Sequence, residues 1–272
     1  MKLLPPDLVP SHFPQIPPID EDLRSVYRLI VFSPDLQATQ LLHRFFEAIQ
    51  HLRHVLEFKN AQQEAHTEAE ARQYLEHLHK AMHLMVEEIG QQRCLQTAVD
   101  LFRLFRAVAP EAATRHPNRY RQTIVQVGSY LPPEPREVPG LVDELLARLP
   151  EIPHPVIRAI YLHHELVRIH PFVDGNGRVG RMAKNWLMMY HLYPPIFIYG
   201  REDRTRYIRV SEQSFRDIEQ DPGTFHASTQ SFFEAEMRRV KAGIAFLLAR
   251  LLRDAAQPFG AEDEEIQPYA RD

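Results

Sequence analysis

The chain has 272 residues, 44% of them hydrophobic and 25% charged, which is typical of a globular protein with enough apolar side chains for a substantial core. Its formal net charge of -4 at pH 7 gives no general attraction to nucleic acid or to an anionic membrane surface, so we expect neither as a partner. The lone Cys94 excludes an intramolecular disulfide and a CxxC zinc site, and we expect its thiol to be buried. No secretory signal and no apolar run long enough to span a bilayer are found, so a cytoplasmic location is expected.

Residues 1–20 are rich in proline, which lacks the N–H that helices and strands need, and we expect an extended arm there. Its apolar Leu8, Phe13 and Ile16 would let it lie over the domain. Residues 21–109 form a predicted N-terminal helical region, because apolar side chains recur every three or four residues. The first such stripe covers residues 41–56, and further helices are predicted over 67–88 and 93–108.

The helical pattern breaks after residue 109, where we place the start of a catalytic core covering residues 110–235. Residues 124–128 include the β-branched Ile124, Val125 and Val127 and predict one short strand, which Gly128 can turn into a hairpin. Pro139 is positioned to open a helix over residues 140–149, and Pro155 to open another that ends before His170, because proline disfavours helical geometry in the residue before it.

A further helix is predicted over residues 178–191, and a long last helix has an apolar face running from Phe233 to Leu251. Residues 236–272 comprise the C-terminal part of this helix and a tail that is acidic at residues 262–265. We therefore expect an all-α protein, a helical bundle with one small β element.

Residues 170–181 read His-Pro-Phe-Val-Asp-Gly-Asn-Gly-Arg-Val-Gly-Arg and hold three of the ten glycines of the chain. The loop lies between two predicted helices, so its amides can point toward an anion at the positive N-terminal end of the second helix. His170 suits proton abstraction near neutral pH. Asp174 is a hard oxygen ligand of the kind that holds Mg²⁺ bound to phosphates. Arg178 and Arg181 are three residues apart and can face a polyphosphate together.

The glycine spacing is neither that of a P-loop nor GxGxxG, so a Walker site and a dinucleotide fingerprint are not predicted. The run His163-His164-Glu165 lacks the convergent spacing of HExxH, and we do not predict a zinc site there.

The segment resembles the signature of the Fic-domain family, HxFx[DE]GNGRxxR, and every defined position is matched. The resemblance extends from about residue 121 to about residue 233 and includes Tyr193-Pro194-Pro195. It implies a mostly helical fold with a β-hairpin flap, and an adenylyltransferase that moves AMP from ATP, with Mg²⁺, to a Ser, Thr or Tyr hydroxyl of a target protein.

The resemblance also implies roles for the residues of the motif. His170 would be the base, Asp174 the Mg²⁺ ligand, and Phe172 an inward-pointing anchor for the loop. The anion hole and the grip on the β- and γ-phosphates would come from the remaining residues, which are Gly175, Asn176, Gly177, Arg178 and Arg181. Gly177 stands where the phosphorylating branch of the family has lysine.

Outside the motif, the resemblance implies that a flap formed by Val125, Gln126, Val127 and Gly128 pairs with the target peptide. Tyr207 and Ser214 lie where the family places residues near the adenine. The chain departs from the family in its inhibitory helix motif, [ST]xxxE[GN], which has no clean match; Glu57 is the nearest candidate for the inhibitory glutamate.

Several alternatives stay open on the sequence alone. The same motif would serve an enzyme that uses another nucleotide or a phosphocholine-bearing donor, or one that removes AMP. A catalytically silent module that binds a peptide through the flap is a different class, and the intact His170 argues against it. A DNA-binding regulator would need a basic recognition helix after the core, and only Arg238, Arg239 and Lys241 follow. The oligomeric state, a homodimer included, is not determined.

Overall fold

A computed structural model describes residues 1–31, 67–115, 119–198 and 200–256. The α-helices of these residues, numbered here in chain order, are α1 Ile16–Val31, α2 Glu68–Gly90, α3 Ala98–Val108, the single turn α4 Pro110–Ala113, α5 Val138–Arg148, α6 Pro155–Ile169, α7 Asn176–Tyr190, α8 Gly200–Gln220 and α9 Ala227–Ala256. The predicted stripe over residues 41–56, Glu57 and the acidic tail at 262–265 lie outside the described residues. None of the described helices combines the length and the apolar character needed to cross a membrane.

The prediction of an all-α fold is confirmed, and the predicted β-hairpin is not. Within the described residues, β pairing is limited to one antiparallel bridge between Val127 and Tyr130. Gly128 has φ 60° and reverses the chain directly after Val127, so the two bridge residues exchange both backbone hydrogen bonds at 2.9 and 3.0 Å and no ladder extends from them. The predicted strand is therefore an irregular segment that ends in a tight turn.

Local sequence signals account for where several helices begin. Thr97 caps α3 in a reciprocal capping box with Asp100, which is why α3 begins at Ala98 rather than at the predicted residue 93. Pro155 is the first residue of α6, as predicted. At the N-terminus, α1 begins at Ile16, inside the predicted extended arm, because prolines in a first helical turn lose no hydrogen bond.

The core is one continuous cluster whose buried apolar residues run from Leu3 to Leu247, and Cys94 is buried in it as expected. Helix α6 lies at its centre and packs against α5, α7 and α9. The N-terminal arm covers the domain through Phe13, whose ring stacks on Phe233 with centroids 5.8 Å apart. The boundary predicted between residues 235 and 236 falls inside α9. This packing fixes the C-terminus of α6 and the N-terminus of α7 on either side of the loop at residues 170–175.

Candidate active site

His170 follows the last residue of α6 and has a left-handed backbone with φ 52°. Its Nδ1 lies 3.3 Å from the carbonyl oxygen of Val167, so the tautomer with a proton on Nδ1 donates there and leaves a lone pair on Nε2. Burial lowers the pKa of His170 to about 4, and nearby Arg121 lowers it further, against the opposing effects of Val167 and Asp174. The imidazole is therefore neutral at pH 7, the form that can accept a proton.

Phe172 anchors the loop, as predicted. Its side chain is fully buried and stacks on Phe105 with ring centroids 3.9 Å apart and planes within 8°. The side chain of Asn176 holds the same residue from α7, because Oδ1 accepts from the Phe172 N–H and Nδ2 donates to the Phe172 carbonyl, both at 2.8 Å. Both polar groups of the Asn176 side chain thus bind backbone, and the place of Asn176 in the anion hole stays a prediction for its main-chain N–H.

At two glycines of the motif, neighbouring side chains lie where a Cβ would otherwise stand. Gly175 is the N-cap of α7 with φ 77°, and a Cβ there would lie 2.6 Å from the Cβ of Ala109. A Cβ on Gly177 would lie 3.2 Å from a guanidinium nitrogen of Arg181. The first N–H groups of α7, those of Asn176 and Gly177 among them, have no partner within the helix and stand at the positive end of its dipole. This end of α7 is thus suited to an anion.

Asp174 is exposed, and one of its carboxylate oxygens accepts a 2.6 Å hydrogen bond from the N–H of Gly175. Among the described residues, no three His, Cys, Asp or Glu side chains converge as a set of metal ligands. Protein Mg²⁺ sites commonly use one or two carboxylates and complete the shell with water and substrate phosphates. The site therefore fits a Mg²⁺ ion that a phosphate substrate brings with it, and does not fit a metal held by protein ligands alone.

The two motif arginines have different surroundings. Arg178 is buried, its guanidinium donates to the Glu111 carboxylate and, at 3.2 Å, to the Val108 carbonyl, and it lies 4.1 Å from the centroid of the Tyr74 ring. These contacts direct the Arg178 guanidinium to α3, α4 and the face of α2, and its predicted grip on phosphate stays a prediction. Arg181 is half-buried beside Gly177 and stays the predicted phosphate ligand.

The predicted flap is held at its turn by α8. The carboxylate of Glu212 accepts from the backbone N–H of Ser129 at 2.5 Å and also from its hydroxyl, and these bonds lower the pKa of Glu212. On either side of the turn, Ile124 and Leu131 are 63% and 62% exposed. Of the predicted flap residues, Val125 and Val127 are half-buried, whereas Gln126 and Gly128 are exposed. The segment thus presents an open edge and exposed apolar side chains to solvent.

Comparison with protein families matches residues 72–188 to the model of the Fic/DOC family. The chain is similar to the Fic/DOC family over these residues, which make up less than half of its length. The match begins in α2 and ends in α7, so it includes the part of the predicted N-terminal helical region that follows residue 72 as well as the whole motif.

Two curated relatives of this chain are named protein adenylyltransferase Fic. The one from Nematostella vectensis is 35% identical over 126 residues, which are 45% of this chain and 30% of the relative. The one from Drosophila persimilis is 36% identical over 115 residues, which are 41% of this chain and 22% of the relative. The aligned part therefore spans about a third or less of the length of these relatives.

Solved structures support the Fic fold. Residues 134–508 of Fic-1 from C. elegans superpose with a TM-score of 0.64 at 20% identity, covering 88% of this chain and 74% of that one. A Fic domain containing signaling protein from Bacteroides thetaiotaomicron gives 0.60 at 20% identity, covering 84% of this chain and 98% of that one. At such identities the likeness concerns the fold alone.

Helices α7 and α9 share a charged cluster that the sequence analysis missed, and we call it the buried cluster: Lys184 and Glu236, which are fully buried, and Arg239, whose side chain is 10% exposed. Glu236 accepts from the Lys184 ammonium at 2.5 Å and from Arg239 at 2.6 Å. Tyr207 adjoins it, because its hydroxyl lies 3.1 Å from Nε2 of His163 and the two rings stack 5.6 Å apart. A glutamate beside Phe233 and Met237 on the apolar face of the last helix is the signal that could have revealed the cluster.

Ser214 lies in the interior, and its predicted place near the adenine stays a prediction. Its hydroxyl is fully buried, 2.8 Å from Nε2 of His164 and 2.7 Å from the hydroxyl of Thr229. Nδ1 of His164 lies 2.8 Å from Glu165, which accepts from Arg168 at 2.6 Å. His164 and Glu165 are thus part of a core hydrogen-bond network with Ser214 and Arg168.

Proposed function

We propose that this chain transfers AMP from ATP to a Ser, Thr or Tyr hydroxyl of a target protein and releases pyrophosphate. The observation that carries the proposal is the half-buried, neutral His170, whose Nε2 is left as an acceptor in the loop that leads into the N-terminus of α7. A base beside an anion site is what nucleotidyl transfer requires. The name of the curated relatives supports the same activity.

His170 acts first in the proposed reaction. Its Nε2 takes the proton of the target hydroxyl as that oxygen attacks the α-phosphorus of ATP. The bond between the α-phosphorus and the oxygen that bridges it to the β-phosphorus breaks, and pyrophosphate leaves with that oxygen. Because the pKa of His170 is lowered, the ring is in its neutral form, with a lone pair on Nε2, throughout the physiological range.

The phosphates would lie against the first turn of α7, where the backbone N–H groups of Asn176 and Gly177 point outward and Arg181 adds a positive charge. Gly177 leaves room for the phosphates beside Arg181, since a Cβ at this position would lie 3.2 Å from a guanidinium nitrogen of Arg181. Asp174 would hold the Mg²⁺ ion, which when bound neutralises phosphate charge and orients the leaving group. Arg178, whose guanidinium donates to Glu111, would reach the phosphates only by giving up that bond.

The target peptide would dock along residues 124–127, whose backbone leads into the turn that Glu212 anchors. An extended peptide can add its main-chain hydrogen bonds to such an open edge, and the exposed Ile124 and Leu131 offer apolar contacts on either side. Tyr207 stays the predicted neighbour of the adenine; its side chain, like that of Ser214, is buried. The cytoplasmic location and the homodimer stay predictions.

The test is to incubate the purified chain with Mg²⁺ and ATP labelled at the α- or, separately, at the γ-phosphate, with and without cell lysate. Protein-bound label from the α-position alone is the expected result. Label from the γ-position would indicate phosphoryl transfer instead, and label from neither would contradict the proposal for ATP as donor. The variant His170→Ala lacks the proposed base and controls for labelling that does not depend on it.

A further inference from the structure

Arg121 is the one residue whose side chain and backbone both bind the turn that carries His170, among the residues that the structure describes. Its Nε donates to the His170 carbonyl at 2.8 Å, and Nη2 lies 3.4 Å from the Ile169 carbonyl. Its backbone N–H donates to the Pro171 carbonyl at 2.9 Å. Three consecutive carbonyls at the end of α6 therefore face a single arginine.

The same guanidinium also closes the base of the flap. Nη1 donates to the Thr123 carbonyl at 2.9 Å, and Nη2 donates to the Pro133 carbonyl at 2.5 Å. These two carbonyls stand at the start and the end of the segment that contains the turn at Gly128. One side chain thus holds both ends of the flap and joins them to the His170 turn.

The burial and the hydrogen bonds of the Arg121 guanidinium are unusual for a side chain that only packs in the core. Its side chain is fully buried, and among the described residues its hydrogen bonds go to carbonyl oxygens and to no carboxylate. Burying a guanidinium without a counter-ion is costly, and here the compensation comes from the planar fork of donors and from the negative end of the α6 dipole. A lysine could not span both groups of carbonyls from one position, since its ammonium is a compact point charge.

We propose that Arg121 is a positioning residue that fixes the flap relative to His170, so that a hydroxyl on a docked peptide meets Nε2 at a set distance. The inference rests on the proposed function, because it takes His170 as the base and the flap as the docking segment. Arg121 touches no reacting atom and acts through the backbone of both. Proton transfer needs the two heavy atoms within about 3 Å, and a displacement of about 1 Å can reduce the rate about 100-fold.

The experiment compares the full chain with Arg121→Lys and Arg121→Gln, and with Arg216→Gln as a matched control. Arg216 also binds the flap, but from outside, by donating to the Ser129 hydroxyl at 2.5 Å. Amide hydrogen exchange is followed in two peptides, residues 121–134 and 166–175. Single-turnover transfer is followed from α-labelled ATP onto the acceptor that the wild type labels.

We expect both Arg121 variants to speed exchange in both peptides at once, and the control to speed it in the flap peptide alone. The transfer rate should fall about 100-fold in Arg121→Gln while the KM for ATP stays within about threefold, because the phosphate site on α7 is not touched. Arg121→Lys keeps the positive charge but not the forked set of guanidinium donors, so its transfer rate should lie between those of the wild type and Arg121→Gln.

The inference is overturned if exchange rises in one peptide only, or if a folded Arg121→Lys chain transfers at the wild-type rate. An Arg121→Lys chain that does not fold would also overturn it, because the role of Arg121 would then be to stabilise the core. A wild type that transfers no α-label would contradict the proposed function instead, and the exchange measurement would still decide whether Arg121 couples the two segments.

Discussion

Replacing Arg178 with methionine tests whether this motif arginine is structural. The change removes a 3.2 Å bond to the Val108 carbonyl, worth about 1 kcal/mol, and a 4.1 Å contact with the Tyr74 ring, worth about 1–2 kcal/mol in a buried setting. The ion pair with Glu111 adds at most about 1 kcal/mol, since the Glu111 side chain is 39% exposed and solvent screens it. The free energy of unfolding should therefore fall by about 2–4 kcal/mol.

In a thermal melt this loss corresponds to a decrease in Tm of about 5–10 °C for a chain of this size. The KM for ATP, measured at a temperature where the variant is folded, should stay within about twofold of the wild type. Arg181→Met is the matched control and should show the opposite pattern, a raised KM with a smaller change in Tm. An Arg178→Met chain with unchanged Tm and a KM raised tenfold would refute the structural role and return Arg178 to the phosphate site.

Three further predictions concern other parts of the site. Gly180→Ala should lower Tm by about 2–6 °C, because the new Cβ would lie 2.8 Å from a methyl carbon of Val167 and the overpacking exceeds the gain in helix propensity. The control Gly243→Ala, whose Cβ meets nothing closer than 3.9 Å, should not lower Tm. A rise of Tm in both variants would contradict the reasoning. Glu212→Ala releases the turn of the flap and should raise the KM for the protein acceptor about three- to tenfold without changing that for ATP; a change confined to ATP would be evidence against docking at the flap. Because the pKa of His170 is lowered, its ring should stay neutral as the pH falls through 6.5 and take up a proton only near pH 4. The titration is followed by the NMR signal of the ring, and a titration midpoint near pH 6.5 would show that the ring is not desolvated.

The sequence predicted much of the framework because its signals are local. Thr97 and Pro155 mark the starts of α3 and α6 through capping and missing N–H groups, which depend on a few neighbouring residues. The loop at residues 170–181 was recognisable for the same reason, since its glycines and charged groups are close together in the chain. Helix α8 was not predicted, because most of its residues are polar and leave only a short apolar face.

What could not be predicted is the direction of individual side chains, which depends on residues distant in the chain. Arg178 points to Glu111, 67 residues earlier, and Ser214 to His164, 50 residues earlier. The spacing of the motif is compatible with an Arg178 side chain that points to Glu111 and with one that points to the phosphate site. Arg121 gave no sequence signal, since its partners are backbone carbonyls and these are present whatever the residue types. Tertiary packing decides each of these positions.

The measurement that tests the central claim most directly separates binding from transfer in His170→Ala. Nucleotide binding is measured by calorimetry with Mg²⁺ and ATP, and transfer by a single turnover of α-labelled ATP, with the wild type alongside. The account predicts that the variant binds ATP within about threefold of the wild type and that transfer falls by a factor of about 100 or more, because a positioned general base contributes rate and not affinity. Transfer at the wild-type rate, or loss of binding together with transfer, would contradict the assignment of His170 as the base.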